Sequence, residues 1–289
     1  MKNILKFFFK IGYYIKHFIK ISWIQLKIIK TPEYHPNFGP DYKSALRVIL
    51  RASKSAYPNR FYTIGSVLGA LQAKNCGINN ISLIEFGVAN GKGIKSLLEV
   101  ASLIKEEMKI SVKVIGFDNR DGLPSPIDYR DHPEIWSKEE FSMAENYEKL
   151  DNYINSSGGE LIIGDVTDTL PKFDLTNEVL AFASIDVDYY SSTKPIMNWL
   201  HKINTKNTLP ASVLYFDDIH SVWTYSKHCG EELAIRDFNQ LSDERKIELK
   251  SKKLKLYAMH NFSHPIRTGD EKPKVKLTLF VDRLNSFFS

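Results

Sequence analysis

The stretch Leu83–Gly93 constrains this chain most. It reads LIEFGVANGKG: an apolar run, an acid at position 85, then glycines at 87, 91 and 93. An apolar strand, a glycine-rich turn and a helix are how a parallel α/β sheet receives a nucleotide-like ligand. Glycine has no Cβ, so backbone amides near Gly87 and Gly91 can approach such a ligand closely. The spacing is G-x-x-x-G-x-G rather than G-x-G-x-x-G, which argues against a dinucleotide. No Lys-Ser/Thr pair follows, as a phosphate loop needs. A carboxylate at the strand end repels a pyrophosphate and attracts a cationic amino-acid or sulfonium group. The same pattern also suits an ordinary strand–turn–helix whose glycines serve packing.

The units that follow fit a doubly wound sheet. Ile81–Gly87 reads as the first strand, with a helix over 93–107 (Ile94, Leu97, Leu98, Ala101, Ile104). Val112–Asp118 reads as the second strand, and an acid at its end can accept hydrogen bonds from ribose hydroxyls. Residues 160–165 (ELIIGD) give a third strand ending in Asp165. Residues 119–157 are polar, hold Pro124, Pro126 and Pro133, and are too long for a simple connection. They read as an insertion forming a lid or substrate wall, with Arg130, His132 and Trp136 either facing substrate or serving structure.

Two further apolar strands each end in acids. AFASIDVDYYSST (181–193) carries Asp186 and Asp188, and SVLYFDDIH (212–220) carries Asp217 and Asp218. Ligands in such sheets bind outside the carboxyl ends of the strands, so four carboxylates are expected to converge. Crowded like charges are costly unless a cation binds or a proton is retained. Hard oxygen ligands favour magnesium or calcium. The competing reading has these acids capping helices that start at Ser191 and near Ser221. Lys253–His260 and Val275–Asp282 alternate as a closing antiparallel hairpin.

Charge is unevenly placed. The chain of 289 residues carries a formal +5, yet residues 1–30 hold seven lysines and no acid, which leaves −2 on the rest. The body is therefore not a basic nucleic-acid binder. In residues 1–30, lysines (2, 6, 10, 16, 20, 27, 30) and apolar residues share opposite faces at helical spacing. Lysines interrupt every apolar run, so this is neither a spanning helix nor a signal peptide. A basic amphipathic helix either lies on an anionic membrane surface or packs on the body or a second subunit. Residues 31–40, with Pro32, Pro36, Gly39 and Pro40, form a linker. Helices over 41–56 and 61–75, the latter capped by Gly77, complete a helical lead-in over 31–80 before a domain over 81–289. Hydrophobic residues make up 43%, enough for a large core. Cys76 and Cys229 form neither a disulfide framework nor a metal-ligand spacing, and fit a reducing, cytoplasmic setting.

The set of motifs, taken in order over roughly 80–220, resembles class I S-adenosylmethionine (SAM) dependent methyltransferases. More narrowly it resembles the macrocin-type sugar O-methyltransferases. IDVDYYSST followed by YFDDIH carries that resemblance, with Thr169-Leu170-Pro171 as a short shared run. It implies a seven-stranded, Rossmann-like α/β fold with an antiparallel C-terminal hairpin. It also implies SAM held by Glu85, Gly87, Ala89, Asn90, Gly91, Asp118, Asp165 and Asp186. Magnesium would be held by Asp186, Asp217 and Asp218, with Asp188 as the base near a substrate hydroxyl. The insertion and the N-terminal arm depart from the antibiotic pattern and bear on the substrate more than on the reaction. Three rival readings stand beside this one. One is a non-catalytic methyltransferase-like body tethered by its arm. Another is a catechol-type small-molecule O-methyltransferase with Trp136, Trp223 or Tyr189 as clamp. The last, a dinucleotide-dependent oxidoreductase, suffers from the glycine spacing.

Overall fold

The computed structural model describes residues 41–219, 226–241 and 243–272. The expected arm at 1–30, the linker at 31–40, Trp223 and the strand expected at Val275–Asp282 lie outside them. Two helices come first, α1 (Tyr42–Ala52) and α2 (Arg60–Asn75). Asn59 starts α2, its Oδ1 accepting from the amides of Phe61 and Tyr62 at 3.0 and 3.2 Å. The central units are β1 (Asn80–Phe86), α3 (Lys92–Met108), β2 (Ser111–Asp118), α4 (Tyr147–Ser156) and β3 (Gly159–Ile163). Then come α5 (Val166–Thr169), β4 (Val179–Ile185), α6 (Tyr190–Lys202), β5 (Thr208–Phe216) and α7 (Gly230–Leu241). The described chain closes with β6 (Arg245–Ser251), β7 (Leu256–Asn261) and α8 (Pro265–Thr268).

The strands form one sheet in the order β3-β2-β1-β4-β5-β7-β6. The first five run parallel and β7 runs antiparallel between β5 and β6. Strands β4 and β5 are buried along their whole length, as central parallel strands covered on both faces must be. One face packs under α1, α2 and α3, the other under α6 and α7. Helix α2 comes unusually close to the sheet. A Cβ at Gly65 would meet the Phe182 ring at 2.3 Å, and one at Gly69 would meet the Ala181 carbonyl oxygen at 2.4 Å. That approach brings the first turn of α2 over the ends of β1 and β4.

The expected antiparallel hairpin is present, and among the described residues it pairs Arg245–Ser251 with Leu256–Asn261. Lysines 250, 252, 253 and 255 blurred the alternation here, and the turn between the strands falls within that basic run. The stretch 119–157 holds the crossover helix α4 as well as irregular chain. Asp131, 1% exposed, ties the irregular part down. Its Oδ2 accepts from the Ile127 amide at 2.9 Å, and its Oδ1 accepts from the Ser191 amide at 2.8 Å, in the first turn of α6.

Candidate active site

A cleft of about 1050 Å³ opens at the carboxyl ends of β1, β2, β4 and β5. The β1 end supplies the glycine turn. Gly87 has φ +86°, and a Cβ there would meet the Asp186 carbonyl oxygen at 1.8 Å, so β1 and β4 can converge only with glycine at this point. Ala89 and Asn90 continue the turn. Ala89 takes φ +43°, and the Asn90 side chain accepts from the Lys92 amide at 3.2 Å. Gly91, in a left-handed conformation, leads into α3 and packs against Leu150.

Asp118 lines the cleft but is already at work. Its Oδ2 accepts from the amides of Val88 and Ala89 at 2.8 and 2.9 Å, and its Oδ1 from the Arg120 amide at 2.8 Å. The acid expected to meet a ribose or merely to cap a loop thus shapes the glycine turn. Asp165 lines the same wall and caps α5 through the Thr167 amide at 2.7 Å.

Glu85 is 2% exposed and sits on the floor of the cleft. Its Oε1 accepts from the Tyr62 hydroxyl at 2.8 Å, while Oε2 has no hydrogen-bond partner among the described residues. Burial pushes its pKa well above the carboxylate range. Tyr62 opposes that shift, and the charges of Asp186 and Asp118 add to it.

The acids at the ends of β4 and β5 do converge. Single carboxylate oxygens of Asp186, Asp188 and Asp218 lie within 4.8 Å of one another. Asp188 is 8% exposed and holds a left-handed φ of +59°, strained for a residue other than glycine. Asp217 lines the cleft but is diverted from this cluster. Its Oδ1 accepts from the Tyr215 hydroxyl and lies 3.0 Å from Lys255 Nζ. Of the expected trio, Asp186 and Asp218 lie in this close group, and Asp217 stands on the cleft wall beside Lys255. The competing reading, acids as helix caps, fails at α6, where Asp131 from the insertion meets the Ser191 amide.

Crowding sets the protonation of this cluster. Burial, then the charges of Asp217 and Asp218, pushes Asp186 up to about 8. Burial, then the facing Asp218, pushes Asp188 up to about 9. Asp218 is raised too, first by burial. Asp218 Oδ2 is buried and has no hydrogen-bond partner among the described residues.

Glu231 escaped the sequence reading. It opens α7, is 2% exposed, and accepts from the Asp218 amide at 3.1 Å through Oε2. Its Oε1 is buried and unpartnered. Burial and the neighbouring acids raise its pKa well above the carboxylate range. The GEEL pattern at 230–233 looks like an ordinary acidic first turn of a helix, and only the folded chain brings it behind Asp218. Tyr62 and Lys255 were missed for the same reason.

Of the insertion residues, Trp136 lines the cleft, with its ring 5.5 Å from that of Phe141. His132 is buried beside Asp188, Asp218 and Glu231, with Nδ1 3.0 Å from Glu134. Arg130 does not face the cleft. It pairs with Asp128 at 2.8 Å and lies over the Tyr190 ring at 4.7 Å. Tyr189 is fully buried rather than exposed as a clamp.

No protein-family model matches the sequence, and no curated protein matches it by sequence. Solved structures do resemble the fold. The calicheamicin methyltransferase CalS11 aligns with a TM-score of 0.50 at 20% identity, over 75% of this chain and 91% of CalS11. The O-methyltransferase NovP aligns with a TM-score of 0.50 at 16% identity, over 70% of this chain and 79% of NovP. With the observed strand order and the glycine turn after β1, these likenesses mean that the chain has the class I methyltransferase fold.

Proposed function

We propose that this chain transfers a methyl group from SAM to a hydroxyl of a sugar or glycan precursor, assisted by a divalent cation. One observation carries the reading. A single cleft runs from an unpartnered carboxylate oxygen beneath the glycine turn to the acid cluster at the ends of β4 and β5. A sulfonium donor suits the first end, and a hydroxyl to be deprotonated suits the second.

The residues fit SAM. Glu85 Oε2 is open to a cationic partner, and Asp118 accepts from three backbone amides among the described residues, leaving capacity for a ribose hydroxyl. They also fit a hard divalent cation. All donors are carboxylate oxygens, and Asp218 Oδ2 and Glu231 Oε1 lack partners. Asp186 and Asp218 would hold the ion, and bound there it would supply Lewis acidity that eases ionisation of a hydroxyl.

The chain's own residues then do the rest. In its ionised form, which a cation bound at Asp186 and Asp218 would favour, Asp188 accepts the hydroxyl proton on a carboxylate oxygen; the crowding that keeps it protonated in the free chain makes that form a stronger base than an exposed aspartate. SAM bound in the cleft would supply an electrophilic methyl group to the acceptor oxygen, its sulfur becoming a neutral thioether. The glycine turn, Glu85 and Asp118 fix the donor, so positioning supplies much of the acceleration. A catechol-type acceptor is the second reading. The rings of Phe61 and Tyr215 stand 5.5 Å apart on the cleft wall beside Asp217 and could take an aromatic substrate.

The deciding experiment offers isotope-labelled SAM with sugar nucleotides, glycan precursors and catechols, with and without EDTA. Transfer to sugars that stops on chelation and returns with magnesium is expected. Transfer that ignores EDTA removes the metal from the mechanism. SAM binding with no transfer to any class favours a non-catalytic role.

The setting is part of the proposal. No helix among the described residues is long and apolar enough to cross a membrane. We read the chain as cytoplasmic and its basic arm at 1–30 as seated on an anionic membrane or on protein, including a second copy. Co-sedimentation of the full chain and of residues 31–289 with phosphatidylserine vesicles tests the first alternative, and equal partitioning removes it.

A further inference from the structure

We propose that Tyr62, from the lead-in helix, completes the cofactor's amino-acid subsite by fixing Glu85 with one oxygen free for the α-ammonium group. The inference rests on the SAM reading above and names the residue that organises one end of it.

Tyr62 cannot swing away. It is 3% exposed, with its ring 5.5 Å from Tyr215 and 5.8 Å from Phe182. The close seating of α2 through Gly65 and Gly69 holds its first turn there. Its hydroxyl carries one hydrogen. Ser184 Oγ donates to that hydroxyl at 2.7 Å, so the hydroxyl hydrogen is left for Glu85 Oε1 at 2.8 Å. Glu85 and Ser184 are themselves neighbours across β1 and β4. The same Oε1 sits where Gly93 leaves room, since a Cβ there would lie 1.7 Å from it. One oxygen of Glu85 is thus gripped from two sides.

The other oxygen has no hydrogen-bond partner among the described residues. Leaving a buried carboxylate oxygen unsatisfied is expensive, so a ligand that satisfies it is selected. That ligand is cationic, and the site offers it one carboxylate. A divalent metal needs several donors, and among the described residues the multi-donor cluster is Asp186, Asp188 and Asp218. A single buried carboxylate beside a glycine turn suits an ammonium group instead. Helix α2 is therefore part of the binding site although it precedes the first strand.

The test compares three ligands by titration calorimetry on the full chain. S-adenosylhomocysteine keeps the ammonium and the carboxylate. Its decarboxylated form keeps only the ammonium. Methylthioadenosine lacks both. Tyr62→Phe should weaken the first two about tenfold and leave methylthioadenosine within about twofold. Ser184→Ala should give the same pattern with a smaller drop, and covers the case in which Tyr62→Phe fails to fold. Equal losses for all three ligands, or no loss for any, overturn the role of Tyr62. If the wild-type chain binds none of the three, the SAM reading falls, and this inference falls with it.

Discussion

Lys255 Nζ lies 3.0 Å from Asp217 Oδ1, so one of the four acids at the strand ends arrives already neutralised. The pairing divides the acids by role. Asp186 and Asp218 are left to hold a cation, while Asp217 is held back by Lys255 and Tyr215. Asp186→Asn and Asp218→Asn should each weaken magnesium or manganese binding by more than tenfold. Asp217→Asn should weaken it only a few-fold. Manganese titration followed by electron paramagnetic resonance checks the ranking, and a larger loss from Asp217→Asn would reverse this division.

The acid cluster also predicts how stability depends on pH. Unfolded aspartates give up their protons near pH 4, whereas Asp186 and Asp188 keep theirs up to about 8 and about 9. The folded chain therefore binds more protons than the unfolded chain between these limits. Stability is greatest on the acid side of this window and is lost as pH rises through 8 and 9. Each such proton is worth about 1.4 kcal/mol per pH unit. In EDTA the melting temperature should fall from pH 6 to pH 9, and magnesium should flatten that fall by binding the ionised form. A flat profile in EDTA would mean that the acids are not buried together.

Glu231 sharpens the same point. Glu231→Gln keeps an acceptor for the Asp218 amide but removes a group that resists ionisation in the crowded cluster. It should raise the melting temperature in EDTA at pH 8 and weaken magnesium binding two- to tenfold, effects of opposite sign from one substitution. Loss of both stability and metal binding would instead assign Glu231 a packing role.

The residues whose places at the cleft were legible in the sequence are those set by local order along the chain. Glu85, Gly87 and the acids at 186, 188, 217 and 218 follow apolar runs, and strand ends in a parallel sheet necessarily share one edge. What was illegible depends on long-range approach. Tyr62 reaches Glu85 because small residues let α2 sit low on β4, and nothing near position 62 announces that. Lys255 reaches Asp217 across a hairpin whose position the lysine-rich stretch disguised. Asp131 looked like one charge among several in a polar insertion, yet it is the residue that seats that insertion on α6. The contacts that engage Asp217 with Tyr215 and Lys255 likewise have no signature in the run FDD.

Asp131 yields a prediction of its own. Asp131→Ala removes acceptors for two backbone amides, those of Ile127 and Ser191, from a site 1% exposed. Loss of a helix-capping acceptor alone costs about 1 kcal/mol, and an unsatisfied second amide brings the total to about 2 kcal/mol. Chemical denaturation should show that loss. Hydrogen exchange should place it in residues 127–132 and the first turn of α6, with β1 and α3 unchanged. Uniform loss of protection would mean that Asp131 supports the whole core rather than the wall.

Glu85 makes the last prediction, one about protons released on binding. Burial holds its carboxyl in the neutral form to higher pH than an exposed glutamate. The ammonium group of the cofactor favours the ionised form, so binding should expel a proton from Glu85. The binding enthalpy of S-adenosylhomocysteine should then vary with the ionisation enthalpy of the buffer, by a fraction of a proton near neutral pH. The released fraction should shrink as pH rises, because more of the free chain is already ionised. Methylthioadenosine, which lacks the ammonium, should release none at this site. In Glu85→Gln the release with S-adenosylhomocysteine should vanish along with most of its affinity. A buffer-independent enthalpy in the wild-type chain would show that Glu85 is already ionised before the ligand arrives.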